Sequence, residues 1–360
     1  MKNTTLFLLI ILFGGLATLP TLAQTIRRVN NTPGLNDPAV YPTAQAAHNA
    51  AAVGDIISLE PSDSPDYGFL TVTKRVTIVG SGYFLDKNPN TSFDKRAVTL
   101  QGLTFDNGSA NSTVTGVFFP NGLSINDINI TMTRCRTGNP VQMGQSNNLV
   151  AEAYSFGNNA TITNNFLVSN GACINGAGGI RSGFTISNNI LLSNSGFVNF
   201  GNSVINYNTF YTNSGLISAN VKNSTFTNNI IDARTQLAGY NAFDAQSTGN
   251  TVSNNMCLTV NGLPTGNGNV NGTTPSTVFV NASNPFTTYS TNGDADFQLS
   301  ASSPARTAGV GNTQIGAFGG TAPYVLSGVP PYPVITSFVN SGAGNSNTPL
   351  TVTISVRSGN

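Results

Sequence analysis

The chain has 360 residues, with 15 Lys or Arg against 14 Asp or Glu and a formal net charge of +1. This low, balanced charge excludes nucleic-acid binding, which needs a basic surface, and electrostatic binding to a membrane. Val, Ile, Leu and Phe are frequent enough for a packed core, so Asn, Ser, Thr and Gly must supply the solubility.

The first 23 residues have the pattern of a signal peptide. Lys2 precedes an apolar run from Leu6 to Leu16, and Thr21-Leu22-Ala23 supplies a small residue before a cleavage point at Gln24. The run is too short to span a bilayer comfortably, and no later stretch approaches about 20 apolar residues. We expect an exported protein, extracellular or at the cell surface, with no membrane span after signal cleavage.

A short capping helix is predicted at about residues 43–53. Thr43 is a good N-cap after Pro42, an alanine stripe follows at helical spacing, and Gly54 ends the helix. The segment Ile56–Leu59 then starts the first strand. A helix at this place would cover the open, aggregation-prone end of a stack of strands.

A short phrase recurs through the middle of the chain. Each copy has an alternating apolar and polar strand, two Asn residues and a second apolar strand, and successive copies lie about 20 residues apart. The copies are Ile162–Phe166, Ile186–Ile190, Phe226–Ile230 and Val252–Met256, with a degenerate copy at Ile205–Thr209.

This phrase indicates a stack of coils. Alternation at period 2 buries one face of each strand, and Asn tolerates the left-handed backbone of a sharp bend. A coil of about 22 residues cannot bury its own face, so coils stack and share a linear core. Asn residues at equal places on successive coils can then hydrogen-bond as a ladder. We predict an all-β protein, a single-stranded right-handed parallel β-helix over residues 24–320.

The last 40 residues change character. The sequence Pro330-Pro331-Tyr332-Pro333 predicts a stiff linker. Two alternating segments, 333–339 and 350–356, flank a polar turn and could pair as a hairpin. Residues 321–360 are therefore predicted as a Pro-rich linker followed by a C-terminal hairpin or cap. A fragment of an attachment module is the alternative.

Both ends of the solenoid resemble one family. The segments Pro42–Ala47, Gly54–Ile57 and Thr73–Gly80 resemble the opening of pectin-lyase-like right-handed parallel β-helix proteins of the secreted bacterial type, and Asp296–Ala305 with Gln314–Gly320 resembles their closing coil. The usual Pro-Gly-x-Tyr after the first strand is degenerate at 61–68. The resemblance covers roughly residues 27–320. It implies the fold only, because this fold carries lyases, hydrolases, epimerases, adhesins and inert passengers.

Residues for catalysis are scarce. A lyase needs a base and a cation against a uronate, often with calcium held by carboxylates, and a hydrolase needs paired carboxylates. Between residues 157 and 231 the only charged residues are Arg181 and Lys222. Three widely spaced cysteines give neither a disulfide framework nor a metal site, and we expect no metal and no cofactor. The weak catalytic candidates form two sets, Arg134 with Arg136, and Lys222 with Asp232 and Arg234. The sequence favours the alternative explanation, that these residues form ordinary solvated ion pairs.

Two further patterns concern binding. Tyr207 and Tyr211 are candidates for stacking on a sugar from a groove. Thr-x-Thr pairs occur at 71/73, 161/163, 225/227 and 351/353. Regular threonine ranks on a solenoid can order water, as in ice-binding proteins. Here the spacing along the chain is irregular and Thr is a common strand residue, which favours an ordinary structural role.

The sequence therefore favours a secreted, non-catalytic β-helix that binds an extracellular polysaccharide or cell-surface glycan, or serves a structural envelope role. The alternative is a carbohydrate-active enzyme on a uronate-containing polysaccharide, a lyase before a hydrolase. Convergence of the candidate charged residues on one concave strip would favour the enzyme, and their scatter over different faces would favour the binding protein.

Overall fold

The computed structural model describes residues 24–143, 157–176, 179–212, 217–233, 241–259, 262–281, 292–345 and 347–357. The predicted signal peptide and the candidate Arg234 lie outside these residues. Within them, no helix is both long and apolar enough to cross a membrane.

The regular secondary structure consists mostly of β-strands. In chain order these are β1 Ile26–Val29, β2 Val40–Tyr41, β3 Ile56–Leu59, β4 Phe69–Val72, β5 Thr77–Val79, β6 Gly102–Phe105, β7 Thr113–Thr115, β8 Phe118–Phe119, β9 Leu123–Ile125, β10 Thr131–Thr133, β11 Arg136–Thr137, β12 Val141–Met143, β13 Thr161–Thr163, β14 Phe166–Gly176, β15 Arg181–Ser182, β16 Thr185–Ser187, β17 Ile190–Gly201, β18 Val204–Asn206, β19 Thr209–Thr212, β20 Ser218–Lys222, β21 Thr225–Thr227, β22 Ile230–Asp232, β23 Thr251–Ser253, β24 Met256–Cys257, β25 Val270–Asn271, β26 Val334–Asn340 and β27 Val352–Arg357.

The helical elements are few and lie at the two ends. They are the helices α1 Ala44–Ala50 and α2 Pro275–Val278, and the 3-10 turns Asp294–Phe297, Pro304–Arg306 and Leu326–Gly328.

The strands form a parallel β-helix, which confirms the predicted fold class. An 11-stranded parallel sheet, in the order β2-β1-β3-β5-β7-β10-β13-β16-β18-β21-β23, makes the first face. A 14-stranded parallel sheet makes two further faces, because its long strands β14 and β17 pair with different partners along their two halves. The second face contains β8, β11, the first halves of β14 and β17, β19, β22 and β24. The third face contains β4, β6, β9, β12, the second halves of β14 and β17, and β20.

The predicted asparagine ladder links the coils between the first and second faces. The side-chain amide of Asn165 donates to Asn189 Oδ1 at 3.0 Å, and the same bond repeats to Asn208, Asn229 and Asn255 at 2.9–3.1 Å. These steps span 24, 19, 21 and 26 residues. The ladder therefore keeps the coils in register although their lengths differ, because the surplus residues lie in loops.

The residue before each ladder position has a left-handed backbone. Asn164, Asn188, Asn228 and Asn254 have φ of 54–60°. This explains why Asn occurs twice in the repeated phrase, since the first residue makes the bend and the second makes the ladder. Arg134 and Tyr207 occupy the same bend with φ of 53° and 54°, where a bulky side chain is uncommon.

The N-terminal end is capped as predicted. Helix α1 begins after Thr43, whose hydroxyl accepts a hydrogen bond from the backbone N–H of Ala46 at 3.1 Å. The imidazole of His48 is buried, its Nε2 accepts from the Thr73 N–H at 3.2 Å, and burial lowers its pKa. The histidine thus attaches the cap to the β-helix in its neutral form.

A C-terminal strap, defined here as residues 305–333, lies along the bends between the first and second faces. Its Val310 N–H donates to the side chain of Asn228, and its carbonyls Ala317, Ala322 and Val329 accept from Asn188, Asn164 and Arg134 in turn. The strap therefore passes one coil after another back toward the N-terminal end. The predicted linker lies within this strap, against the β-helix.

The strap and the residues around it bury the outer side of the second face. Two apolar clusters separate from the linear core form there, around Phe166 with Tyr324 and around Ile230 with Ile315. Beyond the strap, β26 and β27 pair antiparallel as a hairpin at the position where the sequence predicts one, and Ile335 of this hairpin accepts from the Phe93 N–H at 2.8 Å.

Candidate functional site

A shallow groove of about 380 Å³ crosses the outer side of the third face near its N-terminal end. Strands β4, β6, β9 and β12 alternate buried and outward residues, so every second side chain faces the groove. The outward side chains Thr71, Thr104, Ser124 and Gln142 are paired in register across four strands. They form a row of hydrogen-bonding groups, and we call this region the third-face groove.

Phe69 stands at one end of the third-face groove. Its side chain is 69% exposed, the highest value among the exposed large apolar residues. A Cβ atom on the neighbouring Gly102 would lie 3.1 Å from the ring, so the glycine lets the ring lie flat on the sheet. An exposed aromatic ring held in this way offers its face to an apolar ligand surface.

The corner beside the third-face groove carries amides. Asn121 Nδ2 donates to the Gln101 Oε1 atom at 3.2 Å, and Asn139 Nδ2 donates to the Pro120 carbonyl at 2.8 Å. Gln142 Oε1 is buried and accepts no hydrogen bond from the described part of the chain. An unpaired buried acceptor is costly, but the same burial keeps a ligand from reaching this oxygen directly.

Among the described residues, none that lines the third-face groove is charged. These residues can stack on a ring and exchange hydrogen bonds with a ligand. The groove is therefore suited to holding a neutral, hydroxyl-rich ligand.

A second cavity of about 590 Å³ lies between the strap and the β-helix. Arg134, Arg357, Thr91 and Gln298 contribute to its lining. Arg134 Nη1 donates to the Val329 carbonyl at 2.8 Å, and burial lowers the pKa of its guanidinium. The first function of this arginine is thus to hold the strap.

The side chains of the two members of the first candidate set have different surroundings. Arg134 lies at the bend, whereas the Arg136 guanidinium lies between the rings of Phe84 and Phe118, at 4.3 Å and 4.2 Å from their centroids. Cation–π contacts of this kind hold an arginine in place. Asp127, in the same coil, accepts hydrogen bonds from the backbone of Gly108 and Ala110 at 2.9 Å.

The second candidate set divides between two faces. Lys222 ends β20 on the third face, and Asp232 ends β22 on the second face, where it is 1% exposed. Arg234 lies outside the described residues. No concave strip brings Lys222, Asp232, Arg134 and Arg136 together.

The two tyrosines also differ in position. Tyr211 is 1% exposed and belongs to the apolar cluster beneath the strap, so its ring is not offered to a ligand in solution. Tyr207 is half-buried, and Gly320 of the strap lies against its ring. Phe69, the exposed aromatic residue of the third-face groove, was not among the candidates predicted from the sequence.

The described ranges contain neither a cluster of metal ligands nor a reactive thiol. No three His, Cys, Asp or Glu residues of that part of the chain could hold a metal ion together. The three cysteines are buried and free, and burial raises the pKa of Cys135 and Cys173 to about 12 and that of Cys257 to about 11. Such thiols remain protonated at neutral pH and are poor nucleophiles.

The most polar buried cluster was not predicted. Asp294 is fully buried, and its carboxylate accepts from Asn88 Nδ2 at 2.7 Å, from Tyr324 Oη at 2.9 Å and from the Ser327 N–H at 2.7 Å. Tyr324 in turn shares a hydrogen bond of 2.6 Å with Tyr83. This network joins the closing coil, the strap and an N-terminal loop, so its role is to attach the strap.

The sequence held no local signal for this network, because its members are separated by up to 241 residues.

Comparison of the chain with protein-family models, with curated proteins and with solved structures finds no match.

Proposed function

We propose that the protein is an exported, non-catalytic β-helix of the pectin-lyase-like type that binds a neutral extracellular polysaccharide in the third-face groove. The observation that carries this proposal is the exposed Phe69 ring at the end of an in-register row of uncharged hydrogen-bonding side chains. A sugar ring has an apolar face for the phenyl ring and hydroxyl groups for Thr104, Ser124 and Gln142.

The geometry supports binding over catalysis. The candidate charged residues lie at a bend, beneath the strap and on two different faces. Retaining and inverting hydrolases both need two carboxyl groups across one bond, and a lyase needs a base beside a neutralised uronate. The third-face groove offers neither arrangement. A lyase or hydrolase acting on a uronate polymer is the alternative that the experiment has to address.

The test screens the full chain against immobilised glucans, mannans, xylans and polygalacturonate, while absorbance reports any unsaturated product. Binding of a neutral glycan without product is expected. Phe69→Ala should weaken binding about tenfold, the effect of losing one aromatic stack. Val53→Ala is the matched control, because Val53 is also a large apolar residue with an exposed side chain, 60% in its case. This variant should bind as the wild type does.

Two results would overturn the proposal. Release of unsaturated product from polygalacturonate would show an enzyme. Glycan binding that is unchanged in Phe69→Ala, or no binding to any glycan of the panel, would remove the third-face groove as the site.

A further inference from the structure

The side chains that point away from the core on the first face form two straight ranks along the β-helix, and all of them except Thr115, which is 3% exposed, are at least partly exposed. Strand pairing places eight residues in each rank without any register shift. Rank one is Thr77, Thr113, Thr131, Thr161, Thr185, Val204, Thr225 and Thr251. Rank two is Val79, Thr115, Thr133, Thr163, Ser187, Asn206, Thr227 and Ser253.

This order corrects the expectation that irregular spacing along the sequence excludes regular ranks. The distance between successive threonines changes from coil to coil, but the extra residues lie in loops and the strands remain in register. Of the Thr-x-Thr pairs noted in the sequence, 161/163 and 225/227 lie on the first face. The pairs 113/115 and 131/133 were not noted there and complete the ranks.

The ranks have a fixed two-dimensional repeat. Neighbouring strands lie about 4.8 Å apart, and side chains two positions apart on a strand lie about 6.6 Å apart. Positive-φ residues bound β7 and the later strands of this face at the same places, for example Asn159 and Asn164 around β13. The χ1 angle of Thr is restricted, and the asparagine ladder keeps the strands in register. The hydroxyl and methyl groups of the threonines therefore have fixed positions.

Strand propensity alone does not explain the ranks. The corresponding outward row of the third face continues from Gln142 through Asn175 and Val198 to Ala219, a mixed set. That face is also exposed and also β-structured, so propensity would favour Thr there equally. The second face, which the strap covers, carries apolar residues instead.

The chemistry of the ranks is uniform and uncharged. From Val79 to Ser253 neither rank contains a charged or aromatic side chain. A small ligand in solution is usually held in a concave, mostly apolar pocket, whereas this array is a surface of alternating hydroxyl and methyl groups. A long array of weak, regularly spaced contacts suits a partner that repeats with the same period, namely a crystal surface.

We propose that the first face binds ice. Its two repeat distances are of the same order as the spacings between oxygen atoms in the ice lattice. The methyl groups order water next to them, and the hydroxyl groups hold that water by hydrogen bonds. Each contact is weak, so binding requires the whole array. This inference does not depend on glycan binding, because the third-face groove lies on another side of the β-helix.

The experiment measures thermal hysteresis and the shape of single ice crystals in solutions of the full chain. The wild type should shape ice and depress its growth temperature. Thr163→Tyr and Thr185→Tyr place a bulky ring in the middle of the ranks, and each should remove most of the hysteresis. Val198→Tyr makes the same change on the outward row of the third face, outside the groove, and should keep the wild-type value.

Each outcome of these measurements either supports or overturns ice binding by the first face. Circular dichroism melts identify variants that fail to fold, and Thr163→Val, which keeps the shape and the methyl group, then serves as a milder change that should retain part of the hysteresis. Absence of ice shaping in the wild type overturns the proposal, and so does an equal loss in Val198→Tyr. Binding to solid cellulose that Thr163→Tyr removes, without any effect of the wild type on ice, would assign the face to a crystalline polysaccharide instead.

Discussion

The first and second faces of the β-helix are made of similar parallel strands, yet their outer sides differ completely. Within one coil, β16 presents Thr185 and Ser187 to the outside, whereas β17 presents Ile190 and Leu192. Both strands contribute equally regular inward residues to the linear core. The two faces differ because the strap covers the outer side of the second face. In the described ranges, no segment covers the outer side of the first face between Thr131 and Ser253.

In this comparison, the residues that point into the core indicate the fold. The residues that point outward indicate whether a face is open to solvent or covered by another part of the protein. An alternating strand with a polar outer row predicts a surface open to water. An apolar row on both sides predicts a further layer of protein. The second apolar residue of each asparagine phrase, such as Phe166 or Ile190, therefore belongs to the contact with the strap.

The largest effect should come from truncating the covered face. Phe166 contacts the rings of Phe84 and Phe297 at centroid distances of 5.2 and 5.9 Å and is fully buried. Phe166→Ala should lower the free energy of unfolding by about 3–5 kcal/mol, because it leaves a cavity in the apolar cluster that covers the second face. Urea unfolding followed by circular dichroism measures this loss.

The matched control is Thr161→Ala, a change on the exposed first face of the same coil. It should alter the free energy of unfolding by less than about 0.5 kcal/mol. An equal loss in the two variants would mean that the faces do not differ as described.

A smaller effect is expected where the strap makes its closest approach. A Cβ on Gly328 would lie 2.3 Å from Tyr83 Cε1 and 2.5 Å from the backbone oxygen of Arg134, which cannot move freely. Gly328→Ala should cost about 2–3 kcal/mol and loosen the strap, so that a dye specific for apolar surface binds the exposed second face.

Gly311 provides the control for this variant. It has a similar positive φ of 69°, but no atom lies within 4 Å of the place that a Cβ would take. Gly311→Ala should therefore show only the backbone cost, about 1 kcal/mol, without dye binding. Dye binding in Gly311→Ala alone would contradict the assigned contact.

The smallest effect concerns pH and the carboxylate that attaches the strap. Burial raises the pKa of Asp294 above its ordinary 3.8, although its hydrogen bonds oppose this rise. Between pH 3.8 and the higher folded value, the folded state keeps a proton that the unfolded state has lost. The free energy of unfolding should thus fall as pH rises through that window and level off above it. Asp294→Asn should remove this slope.

Asp55 at the N-terminal end provides the opposite case. Burial disfavours its charged form, but hydrogen bonds from the backbone of Ala52 and Thr25 and from Arg27 outweigh this and lower its pKa below 3.8. Its contribution to stability is present above pH 3.8 and is lost as pH falls through the lower folded value. Asp55→Asn should therefore reduce the loss of unfolding free energy as pH falls below 3.8. A reduced loss over the same pH range in Asp294→Asn would contradict the opposite pKa shifts assigned to the two carboxyl groups.

The sequence predicted the local features of the fold well. Alternation, the double Asn and the Thr43 cap each depend on a few neighbouring residues, and each appears in the structure where it was expected. The cross-strand registers could be counted only for coils with an asparagine phrase. The registers between Gly102 and Arg134 stayed open in the sequence, because Gly116 and Arg134 stand at bends where the later coils have Asn.

The strap and the binding surfaces could not be predicted from the sequence for a physical reason. Hydrogen bonds from side chains of the coils to carbonyls of the strap join residues 129, 158 and 195 positions apart, and no local pattern encodes such a pairing. Phe69 appeared to be one more core aromatic, because its exposure depends on which side of β4 faces the core. The threonine ranks appear only after the loops have been removed from the spacing.

The long separation between the strap and its coils has a consequence for the nascent chain. Synthesis proceeds from the N-terminus, so Phe166, Ile190 and their neighbours emerge well before the segment that covers them. During that interval the stack of coils grows with the apolar outer side of the second face exposed to solvent. Two unfinished molecules can associate through this surface. Addition of the strap closes this side, so a chain cut short before residue 305 is expected to aggregate even though all its coils are present.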